Sequence, residues 1–63
     1  MHYSPELTTP DFSNCQDSNS LMFAVLKEMQ QTNFLECYYD RFERIGLIID
    51  LWNKRSREIA NNV

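Results

Sequence analysis

A chain of 63 residues holds one small domain at most, and its 43% apolar and 13% aromatic content excludes an acidic, aromatic-poor disordered tail. One glycine and two prolines argue against an all-β design, which needs a turn roughly every 8–12 residues. The formal charge of −3 is uneven: residues 1–20 carry Glu6, Asp11 and Asp17 without a Lys or Arg, and the remainder balances its acids with bases. An electrostatic grip on nucleic acid has little support from that balance.

No apolar run approaches the ~20 residues of a membrane span. The start of the chain lacks the basic and apolar regions of a secretory signal. The expectation is an intracellular protein, cytoplasmic or nuclear, without membrane insertion. Cys15 and Cys37 sit in unlike contexts and read as reduced thiols. With one histidine, at position 2, and neither Cys-x-x-Cys nor His-x-x-x-His spacing, no metal or cofactor is expected. No catalytic residue is expected either. Glu36, Asp40 and Glu43 read as a solvated helix face, and Asp50 has Lys54 one turn away.

Residues 1–18 are rich in Ser, Thr, Asn, Asp and Pro and show no helical or strand period, so they read as a mobile acidic arm. Ser4-Pro5-Glu6-Leu7 and Thr9-Pro10-Asp11-Phe12 repeat a hydroxyl, proline, acid, apolar order that suits single helical turns. Tyr3, Leu7 and Phe12 are then candidate anchors. Residues 19–63 form the predicted folded unit, an α-helical association module.

Within it, Met22, Val25, Leu26 and Met29 recur at i, i+3, i+4 and i+7 and predict a first amphipathic helix over about 19–31. Asp17, Ser18 and Ser20 offer N-cap chemistry before it. A turn near Thr32 and Asn33 follows, and Asn33 with Glu36 matches a capping box for the next helix. A single kinked helix is the alternative.

The second helix is predicted over about 34–60. Leu35, Tyr38, Phe42, Ile45, Ile49, Trp52, Ser56, Ile59 and Val63 alternate steps of three and four, the pattern of a coiled-coil-like seam. Asp40 with Arg44 and Asp50 with Lys54 are acid-before-base pairs suited to its outer side. Gly46 permits close approach of another backbone. Leu47, Ile48 and Leu51 widen the apolar surface beyond one stripe. A helix apolar on several sides is enclosed by others, and one short helix from the same chain cannot enclose it.

The expected fold is therefore all-α: a short and a long helix in a hairpin, completed by oligomerisation or a partner chain. The expected function is a non-enzymatic interaction subunit or adaptor that binds partner helices through the seam. Ile49 and Trp52 stand at its centre. A heteromer is slightly favoured over a homodimer, because Ser56 in the seam and the off-seam patch look asymmetric. Two alternatives stand beside it. One is a co-chaperone-like hairpin that masks another protein's amphipathic helix. The other is a transcription or nucleic-acid regulator that uses the basic cluster Lys54-Arg55-Ser56-Arg57.

Overall fold

The structure is a computed structural model and describes residues 8–62. His2, Tyr3, Ser4, Pro5, Glu6, Leu7 and Val63, named above, lie outside the described residues. Two helices, α1 (Ser18–Thr32) and α2 (Tyr38–Asn61), pack against each other as a hairpin, with no strand among the described residues. The single kinked helix is excluded. The unit is a rod of 50 × 15 × 14 Å.

Helix α1 starts where its chemistry says it should. Asp17 has extended backbone, and its Oδ1 accepts the Ser20 N–H at 2.8 Å. One orphan amide at the helix start is thereby satisfied. That bond holds the Asp17 carboxyl below its usual range. At the other end no residue needs a left-handed backbone. Asn33 stays right-handed and donates its N–H to Met29 O at 3.1 Å, and two further turns close through Phe34 and Leu35. A helix can end this way without glycine.

Asn33 is thus spent as the C-cap of α1, and the expected capping box does not form. Helix α2 begins later, at Tyr38, behind Cys37, whose side chain makes no capping bond. Leu35 falls in the connection rather than on the seam helix.

The core comprises Phe12, Cys15, Leu21, Val25 and Ile48, with Ala24, Met29, Leu51 and Ile59 packed at its edge. Thr32 is also buried; its hydroxyl donates to Glu28 O at 2.7 Å, one turn back. The inward face of α1 is therefore Leu21, Val25, Glu28 and Thr32, rotated from the expected stripe, and Met22 and Leu26 stand exposed. Glu28 can face inward because Arg44 on α2 meets it at 2.8 Å. A partner helix supplies the cation that periodicity alone cannot anticipate.

Arg44 therefore points across the hairpin instead of pairing with Asp40 on the outer side. Asp50 and Lys54 do not pair among the described residues either.

The stretch from Pro10 to Cys15 is packed rather than mobile, so the expected arm boundary at residue 18 cuts through the core. Asp11 Oδ1 accepts the Ser13 N–H at 3.0 Å, and Cys15 donates its N–H to Phe12 O at 3.1 Å. These local bonds turn the chain so that Phe12 and Cys15 face inward together. A segment without helical period can still bury anchors when turns aim them.

Two arginines of α2 hold this segment by its carbonyls. Arg44 Nη2 donates to Thr8 O at 2.9 Å. Arg55 donates from Nε and Nη2 to Cys15 O at 3.0 and 2.7 Å. The arm lies along α2 between these two grips. It meets Leu51 beside Lys54, Arg55 and Glu58, and Ile59 packs at the edge of the same core. Cover for Leu51 was expected from another chain; the chain's own N-terminal part supplies it.

Candidate functional site

Where the predicted interface residues stand follows from two helical wheels, taken at roughly 100° per residue. On α2 the inward line runs through Arg44, Ile48, Leu51, Arg55 and Ile59. Ile48 is 0% exposed. It is a core residue of this chain, and no partner can touch it; Leu51 and Ile59 are half-buried at the core edge. The seam lies about a quarter-turn to one side. Tyr38, Phe42, Ile45, Ile49 and Trp52 all fall on that flank.

On α1 the matching flank carries Met22, Leu26 and Met29. The two helices of a hairpin run antiparallel, so both flanks come out on the same side of the rod. The stripe expected on α1 and the seam expected on α2 are thus neither packed together nor scattered. They lie next to each other as one face, two helices wide.

The opposite side is where the arm sits. There Phe12 and Ser13 meet Leu51, Lys54, Arg55 and Glu58 around a shallow cleft of about 200 Å³. Leu47, 39% exposed, lies toward that side and not on the seam face.

The seam face exposes much apolar surface. Tyr38 is 73% exposed, Phe42 68% and Trp52 37%. An aromatic side chain carries ~150–250 Å², so these rings with Met22, Leu26 and Ile49 present on the order of 600 Å². A monomer's largest apolar patch is usually about 300–600 Å². The face stands at the upper end of that range on a very small protein.

Its electrostatics are nearly as uniform as its chemistry. Among the described residues the one ionised side chain on the two flanks is Arg41, between Tyr38 and Ile45; their polar members are Ser18, Asn19, Gln30, Asn53 and Ser56. The other charges of α2 fall inward, behind, or toward the arm. Arg41 lies over the Tyr38 ring, 5.7 Å from its centroid. Behind the face, the Glu43 carboxylate one turn along α2 pushes the Tyr39 phenol above its ordinary range. Gly46 stands at the rim, where an added Cβ would meet nothing within 4 Å. Among the described residues no contact requires that glycine.

The basic cluster is divided. Arg55 is committed to Cys15 O and to Glu58, the latter at 3.1 Å. The thiols stand at opposite ends of the hairpin. Cys15 is buried, with its Sγ donating to Ser20 O at 3.7 Å, while Cys37 is exposed before α2. Among the described residues no group of three or more His, Cys, Asp or Glu could hold a metal ion. None of their helices is long and apolar enough to cross a membrane.

The inward set, Arg44 and Arg55 above all, was not legible from spacing. Each looked like a surface cation suited to helix pairing. The available signal was an arginine at i and i+11, three turns apart on one line, beside an N-terminal segment with no cation of its own. No protein-family model matches the chain, and neither a curated protein nor a solved structure is similar to it.

Proposed function

We propose that this protein is a non-enzymatic association module that buries its apolar face against helices of another polypeptide. The observation that carries the reading is the pairing of two apolar flanks on one side of the hairpin. Removing apolar surface from water contributes about 25 cal/mol per Å², so a face of this size is a substantial driving force for association. With Arg41 the one charge on the flanks among the described residues, burying the face desolvates few ions. The candidate contact residues are Tyr38, Phe42, Ile45, Ile49 and Trp52, with Leu35 beyond their end and Gly46 at their rim. Adaptor, complex-subunit and helix-masking roles are variants of this one activity.

The reading also assigns the protein to a reducing, intracellular setting. Its support is the separation of the thiols, which no single disulfide could span without refolding the hairpin.

The test is the size at which the full-length protein elutes from a gentle extract of its own source, detected with an antibody. Wild type and Asp40→Asn, changed on the arm side, should elute in an assembly larger than the folded chain. Phe42→Asp should elute as the free chain. Elution of all three as the free chain ends the reading.

A further inference from the structure

We infer that the occupant of the bare face is a second copy of this chain, giving a two-fold four-helix bundle. In it, α1 of each hairpin lies across α2 of the other. This rests on the association reading and names its partner. Three observations carry it.

The first is area. The face presents on the order of 600 Å², close to the ~800 Å² that each partner of a standard interface buries. One further helix would cover a seam but not a face two helices wide and most of the rod in length. A second hairpin has the matching width and length.

The second is charge. The chain carries a net −3, so two copies repel wherever their acids approach. Apart from Arg41, over the Tyr38 ring at one end, the charges of both helices are withdrawn from the bare face, and pairing through it keeps the acids at the periphery.

The third is self-complementarity. A two-fold interface sets residue i against j and j against i. The α1 half of the face carries Met22, Leu26 and Met29, flexible and unbranched at Cβ. The α2 half carries the Tyr38, Phe42 and Trp52 rings. A two-fold that crosses the halves sets thioether and aliphatic chains against aromatic rings, a favourable and adaptable contact. Hairpins paired in this way form an ordinary four-helix arrangement, with helices inclined by about 20°.

Sedimentation equilibrium of the purified full chain from about 1 µM to 1 mM should show a dimer that dissociates on dilution. Ile49→Asp should weaken dimerisation at least 100-fold while the dilute monomer keeps its helical circular dichroism. Equimolar mixing of isotope-labelled and unlabelled wild-type chains then reads the arrangement without any mutation. Filtered nuclear Overhauser effects should connect the Leu26 or Met29 methyls of one copy to the Phe42 ring of the other, and the Met22 methyl to the Trp52 ring. A dimer lacking those cross-contacts overturns the arrangement. A helical monomer at 1 mM overturns the second copy. If that monomer nevertheless elutes in an assembly from extract, the association reading survives; if it does not, both fall.

Discussion

The two long sides of the hairpin are built from similar side chains and have opposite fates. On one, Phe12 and Cys15 from the arm join the core that Leu51 and Ile59 edge, and two arginines tie the arm in place. On the other, Phe42 and Leu26 face outward, largely exposed among the described residues. The covered side needs cations and carbonyls at its margin because the arm brings backbone polar groups that must be satisfied. The bare side brings none. The contrast shows that apolar content does not decide which surface becomes core; the decisive factor is whether a local turn can deliver a cover.

The contrast breaks most readily at Phe12. Phe12→Ala should cost about 3 kcal/mol, the usual cost of emptying a buried phenylalanine site. Marginal stability on the order of 0.1 kcal/mol per residue gives a chain this short about 6 kcal/mol, so the loss removes roughly half of it. Urea titration should show this loss equally at low and high protein concentration. Phe42→Ala, on the bare side, should produce a loss that grows with concentration and vanishes on dilution. Equal behaviour of the two variants would erase the distinction between the sides.

Next is the grip on the arm. Arg44→Met keeps the stem but leaves Glu28, 23% exposed at its side chain, without its cation and Thr8 O without its donor. A loss of about 2 kcal/mol should follow. Glu28→Gln in the same background should recover part of it, measurable as a coupling in a double-mutant cycle. Full additivity would mean that the pair does not act together.

Smaller and opposite in sign is Gly46→Ala. Helix interiors favour alanine over glycine by about 1 kcal/mol, and no atom obstructs the new Cβ. The dilute chain should melt several degrees higher. A lower melting temperature would reveal a neighbour that the single chain does not contain.

The smallest effect is a response to acid. Asp11 and Asp17 both sit below their usual carboxylate range because each accepts a backbone N–H, from Ser13 and Ser20. A lowered folded pKa means that the stabilisation is present above the unfolded value and disappears as pH falls through the folded one. Amide exchange at Ser13 and Ser20 should therefore quicken only below about pH 4, beyond the intrinsic pH dependence of exchange. Protection that persists unchanged into stronger acid would show that these carboxylates do not hold the turns. Both turns lie on the covered side, so the bare side should not share the response.

How much of this was legible in the sequence depends on whether the signal was local. Both helices were, because periodicity and the Asp17 cap are read within a few residues. Phe42 and Ile49 lie exposed on the flank where the spacing places the seam. Ile48 was misplaced because an apolar residue one step from a seam has no mark telling core from rim. The covered side was almost invisible: it depends on Arg44 reaching Thr8 and Arg55 reaching Cys15, contacts that join positions far apart in the chain. Phe12 could be named as an anchor, but its docking ground could not.

The arm is gripped by the oxygens of Thr8 and Cys15, groups that every residue type possesses. Recognition at those two points is therefore blind to side-chain identity on the arm and strict on α2, where only a guanidinium can reach Cys15 O with two donors at once. A saturation-substitution map should show the asymmetry directly. Position 8 should accept nearly any residue, and position 15 any small one that fits its buried space, while position 55 should refuse even lysine.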